Sequence, residues 1–277
     1  MEPVILADID GTLVDSSYDL APVYPRIVEA MTLGASLVLA TTKTLDEVLL
    51  YLDVWDMPRR RVYVVAEAGG LIAGYDLMDY DYMRGDYRVL ELGERLEERD
   101  LAVAYGLECG VRGYRDMRID EVMNVTGLSR EFAEAARRRL FTESLSAADR
   151  GCLKRLEEVY RGLGYFTHLG RRFLTIGRIP GKAAAVRTLF RLSPLLGSGE
   201  AYVMAFGDAD MDMEMLEEAD EAYVVPSYSP ARPNRSDYML APMPAPAGWI
   251  YLYDKYVKPR LAGLSRGVAT LEAAPSQ

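Results

Sequence analysis

Histidine and cysteine are nearly missing from this chain of 277 residues: His168 is the single histidine, and Cys109 and Cys152 are the two cysteines. So few soft ligands exclude a metal centre built from imidazole and thiolate clusters. Two cysteines also fall short of a secreted disulfide scaffold, although one bridge between them is left open. Positive charge is short as well, with 32 basic against 42 acidic residues and a net charge of -10. Surfaces that grip a nucleic-acid backbone are strongly basic, so no nucleic-acid partner is expected. Long apolar runs are absent, because Asp, Arg, Gly or Pro interrupts each rich stretch, and no membrane partner is expected. The opening MEPVILADIDG lacks a basic stretch followed by a long apolar one, which points to a cytoplasmic location. No GxxxxGK[ST] loop occurs, and Gly69-Gly70 is too short to stand for one.

What is present suits a globular protein. Half the residues are hydrophobic, and the length allows one large domain or two moderate ones. Short apolar segments at Val4–Ile9, Ser36–Ala40 and Val62–Ala66 predict buried strands. Helical stretches at Ala21–Leu33 and up to Leu52 alternate with them. This rhythm predicts an α/β fold whose parallel strands end along one edge, where open sheets bind ligands. It breaks after about residue 75, where tyrosines and aspartates alternate. Charged helical stretches follow near 93–105 and 129–140, then a helix at Ala147–Gly162 and strands at Tyr165–Leu169 and Phe173–Ile176. The rhythm returns with a helix at Lys182–Leu192, a strand at Tyr202–Phe206, a helix to Glu218 and a strand at Ala222–Val225. Residues 226–248 are Pro-rich and read as turn and loop. These shifts divide the chain into a core over 1–78 and 180–265, an inserted α+β unit over 79–179, and a frayed tail over 266–277.

Carboxylates gather where two of the predicted strands stop. Asp8 and Asp10 are two apart, so they share one side of the chain if the extended geometry persists. Gly11 allows a turn, and Thr12 adds a hydroxyl. An Asp-Gly pair by itself is ordinary strand punctuation. A second group, Gly207-Asp208 with Asp210 and Asp212, closes another strand far along the chain. Two such ends suit a hard cation such as Mg²⁺, which prefers oxygen ligands and offsets the repulsion between carboxylates. Thr41, Thr42 and Lys43 end a third strand with donors fit for phosphate oxygens, and Lys182 could add a cation. Helix capping and a surface lysine are the plainer readings of those residues. His168 reads as structural or as a substrate contact, the methionines 204, 211, 213 and 215 as core filling or helix contacts, and Arg59-Arg60-Arg61 as a solvated strand flank.

Asp8-Ile9-Asp10-Gly11-Thr12, Thr41 and Gly207-Asp208 with Asp212 resemble motifs one, two and four of the haloacid dehalogenase-type phosphohydrolases. The segment between Thr41 and Lys182 resembles the C2-type cap of that superfamily's sugar-phosphate phosphatases. Thr41–Val48, Glu67–Gly70, Phe141–Leu145, Gly170–Leu174 and Pro246–Trp249 resemble, more narrowly, the mannosyl-3-phosphoglycerate phosphatase family. The chain departs from that family at Ala68 and Met211, where asparagine is frequent, and in its third motif, Pro180-Gly181-Lys182 instead of Lys-Gly-Lys.

The resemblance implies a Rossmann-like core with a cap. It also implies Mg²⁺-dependent hydrolysis of 2-O-(α-mannosyl)-3-phosphoglycerate to mannosylglycerate and phosphate. Asp8 would be the nucleophile, Asp10 the acid/base, and Thr41 and Lys182 the phosphoryl contacts. Asp8, Asp10, Asp208 and Asp212 would serve the metal, while Thr12, Thr42, Lys43, Arg171 and Arg172 would meet a phosphorylated sugar-glycerate. Glucosyl-3-phosphoglycerate, sucrose phosphate and phosphoglycolate are alternative substrates. A noncatalytic sugar-phosphate binder is the alternative of another class.

Overall fold

The computed structural model describes residues 2–106, 109–197, 201–227 and 237–264. The 266–277 tail and much of the Pro-rich stretch, residues 228–236, lie outside the described residues. The chain runs β1 (Glu2–Ala7), α1 (Tyr24–Thr32), β2 (Ser36–Ala40), α2 (Leu45–Val54), β3 (Val62–Ala66), β4 (Leu71–Gly74), β5 (Tyr82–Arg84) and β6 (Tyr87–Glu91). It continues through α3 (Glu98–Tyr105), β7 (Arg112–Gly113), α4 (Ile119–Thr126), α5 (Arg130–Ala136), β8 (Thr142–Ser146), α6 (Arg150–Gly162), β9 (Phe166–Leu169) and β10 (Leu174–Gly177). The last elements are α7 (Lys182–Leu192), β11 (Ala201–Gly207), α8 (Met213–Glu217), β12 (Glu221–Val224), β13 (Met239–Leu240) and α9 (Ala247–Leu252).

Nine strands form one sheet in the order β13-β12-β11-β1-β2-β3-β4-β6-β5, parallel from β13 to β3 and antiparallel beyond. Both faces are apolar. Ile5, Leu37, Leu39, Val64 and Phe206 pack on one side, while Val4, Leu6, Val38, Val65 and Ala205 pack on the other. That alternation explains why β1, β2 and β3 read as continuous hydrophobic runs: successive side chains enter two different cores.

Four antiparallel strands form a smaller sheet, β7-β8-β10-β9, packed on α3 and α6 around Leu101, Leu145, Leu156, Tyr160 and Ile176. Cys109 and Cys152 form a disulfide in this part of the chain. Strands β5 and β6 fall inside the 79–179 stretch yet hydrogen-bond into the large sheet. Strand β8 escaped the sequence reading because most of its buried residues are polar: Thr142, Glu143 and Ser144 are enclosed alongside Leu145. No helix among the described residues is long and apolar enough to cross a membrane.

Candidate active site

The parallel registers bring Ala7, Leu39 and Phe206 level with one another, so β1, β2 and β11 stop together. Asp8 follows β1 directly, and its N–H donates to the Phe206 carbonyl at 3.0 Å. Extended pairing ends at Ala7, after which the chain turns at Gly11 with φ +90°. A Cβ on Gly11 would stand 2.5 Å from Asp208 Oδ2, so glycine there admits the second carboxylate. Asp208 and Ala209 in turn donate their N–H groups to Asp212 Oδ2 at 3.2 and 3.1 Å, which fixes the loop after β11.

Two lysines sort these carboxylates. Lys182, the first residue of α7, reaches Asp8 Oδ1 at 2.6 Å and Asp212 Oδ1 at 2.7 Å. Lys43 lies 3.0 Å from Asp10 Oδ2 and 3.8 Å from Glu47 Oε1, over the Tyr18 ring at 4.7 Å. Burial alone would lower both ammonium pKa values, but the adjoining carboxylates outweigh it and hold them above ordinary lysine. Burial pushes the Asp8 carboxyl well above the usual range; Lys182 opposes this, and Asp212, Asp208 and Asp10 add to it. Asp208 is pushed up to about 7, by burial first and by Asp212 next.

A divalent cation fits this arrangement. Asp8, Asp208 and Asp212 each offer an oxygen within 4.8 Å of the others. The group brings three carboxyl groups together against the single ammonium of Lys182, so oxygen ligands outnumber the cation that balances them. Asp10 Oδ1 and Thr12 Oγ1 are buried without a hydrogen-bond partner, which is unmet polar demand at the same place.

Thr41 is buried at the end of β2, and its Oγ1 accepts from the Lys43 N–H at 3.1 Å. Thr42 is half-buried, and its carbonyl accepts from Arg139 at 3.0 Å. The two arginines expected to meet the substrate stand differently. Arg171 is exposed between β9 and β10, while Arg172 donates to the carbonyls of Val125 and Thr126 at 2.9 and 3.4 Å. The Arg172 charge is still felt at Tyr18, which sits over Lys43. His168, read from the sequence as structural or as a substrate contact, lies on β9 within the field of Lys182. Burial and then that ammonium depress its pKa.

Glu47, Tyr18 and Arg139 were not among the expected site residues. A Thr44-x-x-Glu47 capping box was legible, but it marks only a helix start; Arg139 approaches from 97 residues away. Ala68 stands at φ +55°, ψ +28°, a left-handed conformation that asparagine tolerates better than alanine.

The architecture is that of haloacid dehalogenase-like hydrolases. One such hydrolase from Bacteroides thetaiotaomicron superposes with a TM-score of 0.63 at 16% identity, over 87% of this chain and 94% of its own. No protein-family model matches the chain. Over most of its length the sequence is similar to named enzymes. It is 26% identical, across 89% of this chain and 94% of the relative, to the glucosyl-3-phosphoglycerate/mannosyl-3-phosphoglycerate phosphatase of Persephonella marina. It is 28% identical, across 91% and 93%, to the mannosyl-3-phosphoglycerate phosphatase of Aeropyrum pernix.

Proposed function

We propose that this protein is a phosphatase of 2-O-glycosyl-3-phosphoglycerates, with the mannosyl ester as the principal substrate. The observation that carries the reading is the division of labour at the β1 end: Asp8 is tied to Lys182 and grouped with Asp208 and Asp212, while Asp10 is tied to Lys43. A binding protein would have use for phosphate and cation contacts but not for a nucleophile beside a separate acid/base. The glucosyl ester is the second reading, favoured by the double name of the Persephonella marina relative.

Asp8 Oδ attacks phosphorus, forming an acyl phosphate as the bond from phosphorus to the substrate oxygen breaks. Asp10 gives its proton to the departing alkoxide, then takes one from the water that attacks phosphorus, releasing phosphate and restoring Asp8. Lys182 and Thr41 hold and neutralise the phosphoryl oxygens, and Asp212 fixes Lys182. Asp8, Asp208, Asp212 and the Asp10 carbonyl would hold Mg²⁺, which when bound offsets negative charge on the phosphoryl group. Cap side chains over the site, His168 among them, would limit the entry of bulk water.

A phosphate-release panel with and without Mg²⁺ tests the proposal, using the mannosyl and glucosyl esters, sucrose phosphate and phosphoglycolate. Preference for a 2-O-glycosyl-3-phosphoglycerate is expected, together with a drop of about 10³-fold or more for a folded Asp8→Asn protein. A folded Asp8→Asn protein with normal turnover would sink the mechanism. Clear preference for another ester would overturn the substrate alone.

A further inference from the structure

Beyond the acidic trio lies a second ionic group, in which Asp10, the proposed acid/base, is backed by three charged residues to which the proposed chemistry gives no step. Asp10, Lys43, Glu47 and Arg139 alternate in sign. Lys43 Nζ is 3.0 Å from Asp10 and 3.8 Å from Glu47, and an Arg139 terminal nitrogen is 3.7 Å from the other Glu47 oxygen. Lys43 and Glu47 are only 4% and 2% exposed, so neither can rely on water for its charge. In such surroundings an alternating row is favourable, and removing one member leaves its neighbours uncompensated.

The row also joins two parts of the fold. Lys43 and Glu47 come from the turn after β2 and the start of α2. Arg139 comes from the segment entering β8, where it donates to the Thr42 carbonyl at 3.0 Å and to Thr142 Oγ1 at 3.2 Å. One guanidinium thus braces both the 41–43 turn and the carboxylate behind Lys43. Glu47 has a separate local task, because its Oε2 accepts the Thr44 N–H at 2.8 Å and caps α2.

We infer that Glu47 and Arg139 are positioning residues. Together they form an ionic strut that holds Lys43 beside Asp10, where a phosphorylated sugar acid must enter. The consequence for substrate rests on the proposed phosphatase reading; the placement of Lys43 does not. Without Glu47, the Lys43 ammonium keeps one carboxylate partner instead of two and is free to leave its place between the Tyr18 and Tyr51 rings.

Glu47→Gln separates this role from helix capping, since glutamine keeps an oxygen for the Thr44 N–H but loses the charge. The parent chain, Glu47→Gln, Arg139→Met and Arg139→Lys are each reductively methylated while folded, and the five lysines that the parent carries are mapped in all four by mass spectrometry. Lys154, Lys255 and Lys258 are exposed and should label throughout, whereas buried Lys182 should stay protected. Expected is protection of Lys43 in the parent, labelling in Glu47→Gln and Arg139→Met, and partial protection in Arg139→Lys. With it goes a loss of kcat/KM on mannosyl-3-phosphoglycerate at least tenfold greater than on p-nitrophenyl phosphate. Continued protection of Lys43, joint labelling of Lys43 and Lys182, or equal losses on both esters would overturn the strut. If the parent hydrolyses no phosphate ester, the phosphatase reading falls and the labelling pattern alone decides the strut.

Discussion

The acidic trio under Lys182 and the carboxylate of Glu67 are both shut away from water, and the chain treats them in opposite ways. Glu67 receives the backbone N–H groups of Leu140, Phe141 and Thr142 at 2.9 to 3.2 Å, and the Thr142 hydroxyl at 2.8 Å. Burial still raises its pKa, but Arg139 and these donors work against that rise. Asp8, Asp208 and Asp212 share one ammonium, and burial with mutual repulsion pushes Asp8 and Asp208 upward. The first carboxylate joins the segment entering β8 to the large sheet and is satisfied by the chain itself. The others crowd around a single ammonium, and carboxyl groups perturbed in this way are the pattern of a functional rather than a structural buried charge.

The strongest way to break this contrast is to remove Lys182. Lys182→Met should cost about 3–5 kcal/mol in urea unfolding without divalent ions, because two buried carboxylates lose their cation. Phosphate release should fall with it. Unchanged stability would mean that Lys182 does not offset the charge buried at this site.

Glu67→Gln should cost about 2 kcal/mol, since an amide cannot serve all the donors that converge there. That loss should be the same in EDTA and in Mg²⁺; a Mg²⁺-dependent loss would erase the distinction between the two settings.

The pH response should sharpen it further. Asp208 sits at about 7 in the folded chain, against about 3.9 for an unfolded aspartate. A raised folded value favours folding below the unfolded value, and that advantage disappears as pH climbs toward 7. Asp8 acts in the same direction. Melting in EDTA should therefore show this contribution declining from pH 4 to pH 7. Added Mg²⁺ should raise the melting temperature more at pH 8 than at pH 5, because protons compete with the cation. Equal shifts at both values would count against cation binding by these carboxylates.

The smallest expected effect is a gain. Ala68→Gly should stabilise by roughly 0.5–1 kcal/mol, as glycine relieves the left-handed strain beside Glu67. A loss in thermal unfolding would show that the Ala68 methyl packs for more than its conformation costs.

Much of the large sheet was legible beforehand. Ser36–Ala40, Val62–Ala66 and Lys182–Leu192 carry the bounds read from the sequence, because a doubly buried parallel strand and an amphipathic helix each leave a strong local pattern. Strands β5, β6 and β8 were not legible. Their side chains mix exposed, polar and aromatic positions, and only their hydrogen-bonded neighbours define them. At the site, the carboxylates were visible as strand-end residues. The basic partners were harder: Lys182 follows an altered motif, Arg172 is turned onto the end of α4, and Arg139 had no local signal.

The sequence by itself determined where acidic side chains close two hydrophobic strands, since strand periodicity and turn chemistry are local properties. Only the tertiary structure decided which cation each carboxylate meets. Lys182 arrives at Asp8 across 174 residues and Arg139 at Thr42 across 97, and no spacing rule reaches that far. Packing of the helix after the 180–181 turn delivers the one, and the segment entering β8 delivers the other. The reason is physical: burial and charge pairing act through space, so the electrostatic character of Asp8 and Asp10 exists only once the chain has folded around them.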